Sequence, residues 1–157
     1  MLKYLNTQVT FSEVPDEITL CINITGCKIG CKNCHSSYLA QDIGTELTFN
    51  EVRKLIKKNS GISCIAIMGG DAEPDKINTL ASFIINHYNS IKVAWYSGRQ
   101  ELSKEIDLHN FDFIKLGPYI EELGPLNSKT TNQRFYKVSN GELVNITSKF
   151  WKYETEN

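Results

Sequence analysis

Three cysteines, Cys27, Cys31 and Cys34, fall within eight residues of the stretch ITGCKIGCKNCHSSYLA, in a chain of 157 residues with five cysteines in all. Thiols at this spacing could pair as disulfides, close a zinc knuckle, act as redox thiols or ligate an iron–sulfur cluster. An odd cysteine count fits a disulfide framework poorly. To converge on one centre the segment must curl, and Gly26 and Gly30 give its backbone that freedom. A structural zinc wants four ligands in a closed tetrahedron. His35 could be a fourth, but it directly follows Cys34; Cys21 and Cys64 lie in strand-like runs and read as small core residues. A 4Fe-4S cube normally takes four cysteines, so three leave one iron open, as a catalytic metal site does for its substrate.

A chain of this length fits one domain, 1–157, with a core over about 16–117 and a loop-rich C-terminal extension over 118–157. Seventeen Lys and Arg against eighteen Asp and Glu give a net charge of −1 without a block of one sign, which argues against a nucleic-acid groove. No apolar run is long enough to cross a bilayer, and the first residues carry no signal-peptide pattern, so a cytoplasmic protein is expected. Reduced thiols in that compartment more often bind metal than pair with each other.

The elements that must hold the cysteines can be followed along the chain. EITLCINIT alternates, with Ile18, Leu20, Ile22 and Ile24 on one face, and predicts a strand. LTFNEVRKLIKK predicts a helix opened by a capping box of Thr48 and Glu51. ISCIAIMGG reads as a buried strand, PDKINTLASFIINHY as a helix with Pro74 in its first turn, and IKVAWYSG as a strand. RQELSKEI reads as a short helix and FDFIKLG as a further strand. RFYKV and ELVNI suggest a hairpin about Asn140-Gly141, and TSKFWKYETEN reads as a polar tail. This order predicts an α/β fold, a partial (β/α) barrel of about five or six mostly parallel strands with a short C-terminal extension.

Parallel α/β sheets bind ligands at the carboxyl ends of their strands. The cysteine segment follows the first predicted strand, Gly69-Gly70-Asp71 the second and Tyr96-Ser97-Gly98 the third, so all three should share one edge. Taken alone, two glycines and an acid are as consistent with an ordinary strand-end turn.

The spacing Cys-x3-Cys-x2-Cys resembles the signature of the radical S-adenosylmethionine superfamily, and the likeness runs from residue 18 to about 100. It implies that Cys27, Cys31 and Cys34 ligate one 4Fe-4S cluster whose open iron chelates S-adenosyl-L-methionine. The reduced cluster then passes an electron to the sulfonium, leaving methionine and a 5′-deoxyadenosyl radical. MGGDAEP is similar to the superfamily's Gly-Gly-Glu motif, with Asp71 as the acid and Glu73 two residues on. Asn33 stands where many members carry an aromatic residue. The resemblance implies cofactor contacts from Asn33, His35, Gly69, Gly70, Asp71, Tyr96, Ser97 and Gly98, and no catalytic side chain beyond cluster and cofactor.

CHSSYLA, AWYSGR and GPYIEELGPLN…TTNQRFY resemble segments of the anaerobic ribonucleoside-triphosphate reductase activating proteins, extending the likeness to about residues 9–138. That family implies hydrogen abstraction from a glycine of the reductase, a flavodoxin-like electron donor, and partner contacts from Asn132, Gln133 and Arg134. Leu116 departs from the family's usual Asp before Gly-Pro. A minimal radical enzyme acting on a small molecule such as a deazaguanine precursor is the alternative, and a zinc or iron–sulfur binding module without turnover is a third. His87 and His109 read as surface or helix-end histidines.

Overall fold

The structure, a computed structural model, describes residues 2–26 and 43–151. Among these residues eight strands form one sheet in the order β3-β1-β2-β4-β5-β6-β7-β8. They are β1 (Lys3–Thr10), β2 (Thr19–Ile24), β3 (Thr45–Glu46), β4 (Cys64–Met68), β5 (Lys92–Tyr96), β6 (Phe113–Leu116), β7 (Arg134–Ser139) and β8 (Glu142–Asn145). Among the described residues two helices, α1 (Phe49–Lys58) and α2 (Pro74–His87), precede β4 and β5.

The α/β expectation holds, and its strand count needs correction. Only β2, β4, β5 and β6 run parallel. Antiparallel strands flank them, β1 and β3 on one side and β7 and β8 on the other. β1 lacks a sustained apolar alternation; its KYLNTQVT is half-exposed, and pairing along β2 rather than burial makes it a strand. Within the described residues, β3 and β8 end the sheet without pairing with each other.

α1 begins where its cap predicts. Thr48 Oγ1 accepts from Glu51 N–H at 3.1 Å. The Glu51 carboxylate, however, accepts from the Tyr4 hydroxyl at 2.7 Å, tying the helix to β1. α2 carries Pro74 in its first turn and buries Ile77, Leu80, Ala81 and Ile84. The helix expected over RQELSKEI is absent: residues 99–106 run irregularly with a turn at 104–105, followed by a 3-10 turn at Leu108–Asn110. Ser103 explains part of this, since its hydroxyl accepts from Glu105 N–H at 3.3 Å and offers the backbone a local alternative to the helix.

The sheet is covered on both faces. In cross-strand register, Ile22, Ile67, Trp95 and Ile114 form one row that packs in the layer containing α1 and α2. The opposite face carries small residues, Cys21, Cys64, Ala66 and Ala94, which leave room for Val14, Phe113 and Phe135. Phe135 meets Phe150 edge-on at 5.0 Å. The expected polar tail is therefore partly core. Residues Thr147–Trp151 form a 3-10 turn, Phe135 N–H donates to buried Thr147 Oγ1 at 2.8 Å, and Trp151 Nε1–H donates to Leu126 O at 3.1 Å. The predicted hairpin is present, with Asn140 and Gly141 both at positive φ (53° and 76°), as a two-residue turn of right-handed twist requires.

Candidate functional site at the strand ends

Because β2, β4, β5 and β6 are parallel, their carboxyl ends share one edge of the sheet. β2 ends at Ile24, Thr25 N–H donates to Lys3 O at 2.9 Å, and Gly26 turns the chain at φ +79°. Cys27, Cys31, Asn33, Cys34 and His35 lie outside the described residues. Among the described residues no three His, Cys, Asp or Glu side chains gather as a metal site.

At the end of β4 the chain turns through Gly69 and Gly70, at φ +99° and +87°. Gly70 is also constrained by space: a Cβ there would meet Ile77 Cδ1 at 2.5 Å. Gly69 is gripped from β5, donating its N–H to Tyr96 O at 2.9 Å and accepting Trp95 Nε1–H at 2.7 Å. These bonds aim Asp71 at the next strand end. Its carboxylate accepts Ser97 Oγ–H at 2.5 Å and Gly98 N–H at 3.0 Å. Asp71 is 3% exposed and Ser97 1%. Arg99 closes the turn: its N–H donates to Ser97 Oγ at 3.1 Å and its Nη2 to Asp71 O at 3.2 Å.

The sequence-predicted residues Gly69, Gly70, Asp71, Ser97 and Gly98 thus come together in one hydrogen-bonded unit. Two of the roughly four acceptor positions of the Asp71 carboxylate hold the adjoining turn. Tyr96 joins through its backbone, whereas its side chain points to the other face. There its hydroxyl donates to Glu13 O, its ring packs on Phe135 at 5.9 Å, and burial pushes its phenol well above the ordinary value. Glu73 serves as the N-cap residue of α2, and its N–H donates to Gly70 O at 3.0 Å.

The end of β6 carries a residue that sequence reasoning missed. Lys115 is 8% exposed; its ammonium donates to Ser97 O at 3.2 Å and to Gly117 O at 2.8 Å, and stands 5.9 Å from the Tyr96 ring centroid. The available signal was a lysine inside the otherwise apolar strand FIKL, directly before Gly-Pro. A buried ammonium is costly without such acceptors. Leu116, its neighbour, faces the helix layer.

Asn132, Gln133 and Arg134 reach the same edge, because Arg134 pairs with Leu116 at the start of antiparallel β7. Asn132 Nδ2 donates to Pro118 O at 3.0 Å, and Gly117 packs on Gln133 so closely that a Cβ there would meet Gln133 Cα at 3.1 Å. Asn132 Oδ1 is buried and has no hydrogen-bond partner among the described residues. The edge therefore carries an orphaned acceptor on Asn132 and, at the Ser97 turn, a carboxylate with acceptor positions to spare, an acceptor set that fits a ligand bearing N–H groups. Arg134 is exposed, with Nη1 on Thr131 O and Gln133 O at 2.7 and 2.8 Å.

The two histidines lie away from this edge. His87 Nδ1 is 2.8 Å from Phe83 O at the end of α2, and exposed His109 pairs with Asp107. Cys21 and Cys64 are buried free thiols of the sheet face opposite α1 and α2, here called the inner face. Burial, then the Glu13 charge, pushes the Cys21 thiol up to about 11, and burial raises Cys64 further. No helix among the described residues is long and apolar enough to cross a membrane. Compared with known protein families, with curated proteins and with solved structures, the chain finds no match.

Proposed function

We propose that this chain is an iron–sulfur activase of the radical S-adenosylmethionine type, built on a partial barrel, that generates the glycyl radical of an anaerobic ribonucleoside-triphosphate reductase. The observation that carries the proposal is the junction of Asp71 with Ser97 and Gly98. Two loops named by the resemblance, 27 residues apart in sequence, are held together on the edge where β2 ends, at Ile24, shortly before Cys27 in the sequence.

In this reading Cys27, Cys31 and Cys34 hold a 4Fe-4S cluster, which with bound S-adenosylmethionine supplies a 5′-deoxyadenosyl radical for hydrogen abstraction. The residues of the chain bind and orient. Gly69, half-buried and without a side chain of its own, lets the backbone approach a ligand closely, while Gly70 gives the turn room against Ile77. Asp71 and Asn132 offer acceptors for ammonium or amide hydrogens, and Ser97 fixes the direction of the Asp71 carboxylate. The segment Thr131–Arg134 lies beside Gly117-Pro118, where a protein substrate covering the edge would touch it. Such a cover would exclude water from the radical. The electron donor is proposed to be flavodoxin-like.

The test is anaerobic reconstitution followed by iron and acid-labile sulfide analysis, then electron paramagnetic resonance after mixing with S-adenosylmethionine, dithionite and an anaerobic reductase. About four irons per chain, lost in Cys27→Ala but kept in Cys64→Ala, and a glycyl doublet on the reductase are expected. Zinc without labile sulfide would reject the proposal in favour of a structural metal knuckle.

A further inference from the structure

Lys115 is not needed to build the sheet. Its row in the cross-strand register, Asn23, Met68, Tyr96, Lys115 and Phe135, lies on the inner face, where Phe113 and Phe135 show that apolar side chains fill the space. A methionine would satisfy the packing without a charge to desolvate. The ammonium instead grips two carbonyls at the ends of β5 and β6, those of Ser97 and Gly117. Lys115 also holds Ser97 by its backbone, accepting Ser97 N–H at 2.9 Å. Ser97 is therefore fixed through both peptide groups by one residue, and its hydroxyl is the group that orients Asp71. Gly117, the second carbonyl, packs on Gln133 beside Asn132. A single ammonium thus links the Asp71 side of the edge to the Asn132 side.

We infer that Lys115 is a positioning residue for this edge: it sets the Ser97–Arg99 turn and the Gly117 turn in one register, and through Ser97 it aims the Asp71 carboxylate. The inference rests on the proposed function for what the edge binds, but not for the positioning itself. It predicts that charge and donor geometry matter at 115 while side-chain volume does not. Lys115→Arg keeps both charge and donors. Lys115→Met keeps only the volume.

The test uses the full reconstituted chain and two readouts. Amide hydrogen exchange at Gly98 and Arg99, whose N–H groups bond Asp71 Oδ2 and Ser97 Oγ, should quicken at least about tenfold in Lys115→Met, with Ile77 and Ile84 in α2 unchanged. The dissociation constant for S-adenosylhomocysteine, measured by calorimetry, should rise by about tenfold and return toward wild type in Lys115→Arg. A purely structural lysine would lower the melting temperature and quicken exchange in α2 as well. Unchanged exchange at Gly98 and Arg99 in Lys115→Met overturns the inference. Should Lys115→Met fail to fold, Lys115→Gln, which loses the charge and the reach of the ammonium while staying polar, is measured in its place with the same expected quickening at Gly98 and Arg99. A wild-type chain that binds no S-adenosylhomocysteine counts against the proposed function, and the exchange data then decide the positioning role alone.

Discussion

Ser97 Oγ lies 2.5 Å from Asp71 Oδ1 and joins the loop after β4 to the loop after β5. Both residues are buried, so the bond is sheltered from water and neither group has a solvent substitute. Gly98 N–H completes the grip on the second oxygen. The acid is thereby turned along the edge, and its direction depends on a serine 26 positions away.

Removing that hydroxyl should be felt in stability. Ser97→Ala leaves a buried carboxylate oxygen one donor short, at a cost of about 1–3 kcal/mol. Thermal unfolding should show a melting point lower by several degrees, at roughly 2–4 °C per kcal/mol for a chain of this size. An unchanged melting point would mean that the contact contributes nothing.

Gly70 and Gly61 separate backbone strain from crowding. Both sit at positive φ, +87° and +95°, but only at Gly70 does an added Cβ meet an atom, Ile77 Cδ1 at 2.5 Å; Gly61 faces open space. Gly61→Ala should cost about 1 kcal/mol from strain alone. Gly70→Ala should cost about 1–3 kcal/mol more through overpacking against α2. Urea titration of the two variants checks the order, and equal losses would contradict it.

The inner-face thiols should be silent in the folded protein. With the Cys21 thiol raised to about 11 by burial, about one part in a thousand is thiolate at pH 8, and Cys64 is less ionised still. Iodoacetamide followed by peptide mass spectrometry should leave Cys21 and Cys64 unmodified until denaturant is added. Prompt labelling of either in the native state would show that the inner face opens.

Alkaline pH should loosen the tie between β1 and α1. Burial first, then its hydrogen bond to Glu51, raises the Tyr4 phenol from 10.0 to about 12. A raised folded value means that the stabilisation is fully present below pH 10 and is lost as the pH climbs through about 12. Tyr4→Phe lacks the bond at every pH. The urea midpoint of the wild type should therefore fall toward that of Tyr4→Phe over this window, and parallel curves would refute the assignment.

Local signals made the parallel centre of the sheet legible. Thr48 and Pro74 mark helix starts, Asn140-Gly141 marks a hairpin, and the apolar runs around Ile67 and Trp95 mark strands buried on both faces. β1 was not legible, because its strand state comes from pairing with β2 rather than from an apolar pattern. RQELSKEI misled through helical residue types, while Ser103 supplied a local alternative that periodicity does not weigh. For the site, parallel register foretold that Asp71 and Ser97 would share an edge, since strand ends follow from topology. Lys115 could not be foretold, because the carbonyls that make its burial tolerable belong to turns distant in sequence or placed only by the fold.

The central claim is that the cysteines serve radical chemistry, and one measurement addresses it most directly. Anaerobically reconstituted chain is mixed with S-adenosylmethionine and dithionite, and 5′-deoxyadenosine is quantified for wild type and Cys31→Ala. Formation by the wild type and loss in Cys31→Ala is the predicted result. A wild type with a full iron and sulfide load that leaves S-adenosylmethionine intact, with a reductase present as well as without, would contradict the claim.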